Sequence, residues 1–170
     1  SRIIATLEPK MQKMLKVAAI PLFFDRTLLS QTLNEPVSDY EFERLIRISA
    51  VRIYNEKKGY YAVHEIVRDI IIRSVDKESL RDFVFKMAKA LRKRYFRESD
   101  VDLLINRINV LGEYSNKHAA LAMLDSLYIF RFIGDYYGAI RLITSFSFPR
   151  ESELETFRYY YYAKFLADIG

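Results

Sequence analysis

The sequence has no cysteine, and only 2 histidines, 5 glycines and 4 prolines among 170 residues. Without cysteine there is no disulfide framework, no thiol nucleophile and no thiolate metal site, and two histidines leave little for a zinc site. Five scattered glycines form neither GxxxxGK(S/T) nor GxGxxG, so the backbone cradle that phosphate chemistry asks for is missing and no autonomous nucleotide hydrolase is encoded. No GxSxG elbow is present either. Long apolar runs are also lacking: the longest, Val17 to Phe24, is broken by Pro21 and falls far below a membrane span, and the N-terminus lacks a signal-peptide layout. These absences predict a soluble, cytoplasmic protein that is not an enzyme on its own and has no membrane partner.

What is present points to folded helical structure. Hydrophobic residues make up 51% of the chain, too many for a disordered tail. Lys and Arg number 27 against 22 Asp and Glu, a formal charge of +5. The surplus is uneven: residues 1–75 carry +3, residues 76–98 carry +4 and residues 99–170 carry −2. This division predicts a compact domain over 1–75, a connecting helix over 76–98 and helical hairpins over 99–170.

In the first segment, Met11, Met14, Leu15 and Ala18 recur at helical spacing after Pro9, predicting a helix to about Ala19. Asp25 is placed to cap a second helix, Arg26 to Leu33, which the Asn34-Glu35-Pro36 turn ends. Ser38 with Glu41 forms an S-x-x-E capping box for a third, with Phe42, Leu45, Ile46 and Ile48 facing inward. The period then changes to two at Val51, Ile53, Tyr61 and Val63, a β-hairpin with the charged loop Asn55 to Gly59. A helix opens at His64 or Glu65 and runs to about Val75. Three helices, a hairpin and a helix is the order of a winged-helix domain.

Leu80, Phe83, Val84, Met87, Leu91 and Tyr95 make one apolar stripe from Asp76 to Arg97, with Lys86, Lys89, Arg92, Lys93, Arg94 and Arg97 read as a solvated basic face. Beyond it, helices are expected at Val101–Leu111, Lys117–Phe132, Tyr137–Ser145 and Glu151–Ile169. Leu111-Gly112-Glu113-Tyr114 and Gly134-Asp135-Tyr136-Tyr137-Gly138-Ala139 resemble the G-x-Y turn of a tetratricopeptide repeat, in which glycine permits close helix crossing and tyrosine packs between paired helices. Gly170 falls near the next such turn. With the Tyr159 to Tyr162 run, that spacing predicts an interrupted array in preference to a partner surface.

The stretch from Tyr61 to Ile71 resembles the end of the winged-helix domain in STAND-class signal-transduction ATPases, such as archaeal ATPases and maltose-regulator-type activators. Val63-His64-Glu65 is similar to their Met-His-Asp motif, and Leu15 to Phe23 is similar to the domain's opening helix. The resemblance implies an ATPase core ahead of this region, ADP or ATP held by that core, and a histidine, here His64, that contacts the β-phosphate. Glu65 stands where aspartate is usual and Val63 where methionine is. The implied function is a non-catalytic regulatory module, in signalling or transcription, that couples the core's nucleotide state to a protein or small-molecule signal on the repeats.

The alternative is a DNA-binding winged-helix regulator with a helical dimerisation or ligand domain. It would use Arg44 and Arg47 on the third helix and Lys57 and Lys58 on the wing. Asp39, Glu41 and Glu43 at the start of that helix oppose phosphate, which makes this the weaker reading. His118 has Leu121 and Ala122 at its i+3 and i+4 positions, so it predicts no metal site.

Overall fold

The computed structural model describes residues 7–146 and 153–169. Glu151, the expected start of the last helix, and Gly170 lie outside the described residues.

Local chemistry accounts for where most elements begin. Helix α1, Pro9–Ala18, opens on proline and buries Met11, Met14, Leu15, Val17 and Ala18. Helix α2, Arg26–Leu33, starts where the Asp25 carboxylate accepts the Leu28 N–H at 2.8 Å, and stops at Asn34 in the left-handed region, φ 56°. Helix α3, Asp39–Ile46, has both halves of its capping box: Ser38 Oγ accepts the Glu41 N–H and the Glu41 carboxylate accepts the Ser38 N–H. Strand β1, Val51–Asn55, pairs antiparallel with β2, Tyr60–Val63, placing Val51 opposite Val63 and Ile53 opposite Tyr61. The expected open loop is a short 3-10 turn, Glu56–Lys58, closed by Gly59 at φ 65°.

Phe24 adds a one-residue third strand. Its N–H donates to the Tyr61 carbonyl at 2.7 Å and its carbonyl accepts from the Tyr61 N–H at 2.9 Å. Strand β2 is thereby central and β1 is an edge. That arrangement corrects the alternating pattern: Ile53, on the edge, is exposed, while Tyr60 and Ala62 on the opposite face of β2 are buried. Phe23 covers that second face, its ring 4.3 Å from Tyr60 and 5.1 Å from Tyr54.

Helix α4, Glu65–Arg73, follows β2 directly, and α5, Lys77–Glu98, is capped by Asp76. Helices α6, Val101–Gly112, α7, Asn116–Ile133, α8, Tyr136–Thr144, and α9, Glu153–Ile169, each pack on the preceding helix. Among the described residues the chain is mostly helical with this one small antiparallel sheet, and no helix is long and apolar enough to cross a membrane.

Of the glycines in the two G-x-Y turns, Gly134 and Gly112 are not points of close crossing. Gly134 ends α7 at φ 74° with open space around it, and Gly112 meets only Ala119 Cβ, at an ordinary 3.8 Å. The tight approach is at Gly138, where a Cβ would lie 2.8 Å from the Phe130 ring. Tyr136 packs beside Phe165, whereas Tyr137 is exposed.

Helix α5 packs on α2 as well as on α6, so the buried core continues from Met11 to Phe165. This double contact also corrects the basic face of α5. Arg94 is 6% exposed and lies between Asp25, at 2.8 Å, and Glu98, at 3.0 Å. Asn106, fully buried on α6, accepts the Leu22 N–H at 2.8 Å and donates to the Phe23 carbonyl at 2.8 Å. Replacing it strands two buried backbone groups, each costing roughly 1–3 kcal/mol. Asn106→Leu is therefore expected to lower the unfolding free energy by about 2–4 kcal/mol, read as a reduced urea midpoint with unchanged m-value.

Candidate functional site

His64 occupies the joint between sheet and helix, with its backbone fixed and its ring uncommitted. Its N–H donates to the Ala50 carbonyl at 2.8 Å and its carbonyl accepts the Arg68 N–H at 2.8 Å, the first turn of α4. The side chain is exposed and makes no cap hydrogen bond, and His64 is the N-cap residue at the positive end of the helix dipole. Val63, before it, is buried opposite Val51, and Glu65, after it, is exposed.

The same helix divides its apolar residues between two faces. Ile71 is fully buried and Val67 packs against the core, but Ile66 is 80% and Ile70 50% exposed. These two isoleucines are one helical turn apart and together present an exposed apolar face. Arg68 points the other way. Its Nη2 donates to the Ile20 carbonyl at 3.0 Å and to the Glu113 carboxylate, tying α4 to the turn between α6 and α7. Position alone did not mark Arg68, because its partners are 48 and 45 residues distant in sequence.

The four cations considered for nucleic acid are differently placed. Arg44 pairs with Glu8 at 3.3 Å and lies over the Tyr40 ring, and Arg47 pairs with Glu43 at 3.4 Å. Lys58 is held by Asp100 at 2.6 Å and Asp102 at 2.9 Å, so the hairpin tip is turned toward α6. Lys57 is exposed and has no ion pair among the described residues. The carboxylates of α3 are also engaged, Asp39 by Arg26 and Glu41 by Lys10. Hydrogen bonds from Lys10 and then from Ser38 hold the Glu41 carboxyl down at about 2.

On α5, Lys86 pairs with Asp82, and Arg92 reaches Asp125 of α7 at 2.9 Å. Arg107 of α6 reaches the same carboxylate at 2.7 Å. Burial pushes the Asp125 carboxyl up, but the hydrogen bonds from the two guanidiniums outweigh it and hold it below its ordinary range. His118 sits edge-on to Phe85 and Tyr114, with ring centroids at 5.2 and 5.6 Å, and no group of three or more metal-ligating side chains occurs among the described residues.

Comparison with known proteins finds no family model, curated sequence or solved structure that matches the chain.

Tyr60 gives the site region a measurable signature. Burial against Phe23 pushes its hydroxyl up from 10.0 to about 12. Below pH 10 the phenol is neutral in folded and unfolded chains alike. Between pH 10 and 12 the unfolded chain loses that proton while the folded chain keeps it, so stability falls as pH rises through this window. Tyr60→Phe is expected to make the fall shallower, measured as urea midpoints at pH 9, 10 and 11 against the parent protein.

Proposed function

We propose that the chain is the regulatory and interaction part of a STAND-type ATPase, with a winged-helix domain over 1–75, a connecting helix over 76–98 and tetratricopeptide-like hairpins over 99–170. The observation that carries this reading is a helix that begins at an exposed, uncommitted His64, exposes Ile66 and Ile70 along one side and is anchored on its other face. Such a surface suits a partner that offers an anion and an apolar patch together. In this proposal the partner is the ATPase core of the same protein, and the anion is the β-phosphate of its bound ADP.

The Phe24 bridge supports the winged-helix part of the reading, since it supplies the short strand between the first two helices and places it beside the second hairpin strand. The Arg68 link to Glu113 supports the coupling, because a shift of α4 on nucleotide exchange pulls directly on the α6–α7 turn. The chain contributes no catalysis in this role. It reports the nucleotide state to helices that receive a signal, in a cytoplasmic regulator. The ion pairs of Arg44, Arg47 and Lys58 count against the duplex-binding alternative, because each must be broken before phosphate can replace it.

The test is ADP retained through purification by a longer chain that includes the upstream core. His64→Ala should lower retention about tenfold or more, the scale of one charge-assisted hydrogen bond, with circular dichroism unchanged. Ile66→Asp should lower it as well. Retention unaffected by either change overturns the proposal. A salt-sensitive duplex affinity lost in Lys57→Glu would put the DNA-binding reading in its place.

A further inference from the structure

A second feature lies on the helical array and shares no residue with α4. Helices α5, α6 and α7 enclose an open groove of about 350 Å³, within the range of small-molecule sites. Its apolar part includes Phe85 and Leu121, the latter 54% exposed. Its polar part is cationic: Lys89, Arg92 and Arg107 all line it.

The charge in this groove is incompletely compensated. Arg92 and Arg107 converge on the single carboxylate of Asp125, at 2.9 and 2.7 Å, so the trio retains a positive charge. Arg107 is held largely out of solvent, its side chain 13% exposed, and makes one hydrogen bond, from Nη1 to Asp125. A guanidinium carries five N–H donors in a fixed fork, and the rest of this one is left for solvent or a ligand. Lys89 adds a further cation with no ion pair among the described residues. His118 lines the same groove and has a buried Nδ1 without a hydrogen-bond partner.

We infer that this groove is a binding site for a small organic carboxylate with an apolar body. The anionic end bridges Arg92 and Arg107, and the apolar body lies on Phe85 and Leu121. Charge complementarity selects the anion, since an additional carboxylate restores neutrality to the two-arginine cluster, while the apolar wall adds contact that a bare inorganic anion does not gain. A small acid suits a groove of about 350 Å³ better than a long peptide does. The inference gives the proposed switch a chemical class of signal. It rests on that reading only for the signalling role, because binding is measured on this chain without nucleotide or core.

The experiment is titration of the purified chain with phenylacetate and octanoate, followed by heteronuclear NMR shifts and calorimetry. Phenylacetamide, inorganic phosphate and a short Asp-Phe-containing peptide serve as comparisons. Saturable binding of at least one acid is expected, with shifts centred on Leu121, His118 and the Arg92 and Arg107 side chains. The amide and phosphate should each bind about tenfold more weakly or not at all. Arg107→Gln should weaken the acid about tenfold. Leu121→Glu, at an exposed position that leaves the fold intact, should abolish binding and guards against a merely unfolded arginine variant. No saturable binding of either acid up to millimolar concentration overturns the inference. So does equal binding of phosphate, binding of the peptide but neither acid, or binding unchanged in both variants.

Discussion

The turn from Ile20 to Asp25 is mostly buried, and a buried backbone must find partners for its polar groups. Each partner comes from a different element. Arg68 of α4 donates to the Ile20 carbonyl, Asn106 of α6 satisfies Leu22 and Phe23, and Tyr61 of β2 pairs with Phe24. Arg94 of α5 closes on Asp25, which also caps α2. The hairpin, the helix that carries His64 and the helical array are therefore registered through one six-residue segment. A change in any of them that breaks these bonds exposes unsatisfied polar groups in the core, which is why the arrangement resists partial rearrangement.

Against that anchoring, the uncommitted groups stand out. The cations and carboxylates around the first helices mostly pair with each other, so the +5 balance does not translate into a broad basic surface. His64 and the Ile66–Ile70 face are exposed on α4 with their chemistry unanswered, and the arginines of the α5–α7 groove form a second such feature. Arg68 of α4 pairs with Glu113 in the α6–α7 turn. In the proposed switch this pair is the mechanical connection: α4 reports on nucleotide, the array reports on a signal, and their relative position is shared through a single ion pair and the buried turn.

How much was legible in the sequence depended on range. Asp25, Ser38 with Glu41, Asp76, Asp100 and Asp135 mark helix starts because each acts on a backbone amide two or three residues away. His64 could be singled out because its place between an alternating strand and a periodic helix is also a local pattern. Asn106 gave a weak signal, a polar residue within the apolar run of α6, but nothing nearby indicates that it serves a turn more than 80 residues earlier.

The sequence by itself thus determined the helices, the hairpin and their order, since caps, turns and hydrophobic periods are contacts among near neighbours. Only the tertiary structure decided that Ile53 lies on an exposed edge, that Arg94 is interior, and that Arg92 and Arg107 share Asp125. Each of these depends on which distant element covers a given face. Phe24 makes β2 the central strand, and the packing of α5 on both α2 and α6 turns a basic residue inward. Periodicity sets which residues share a face, but burial and charge pairing are set by what that face meets.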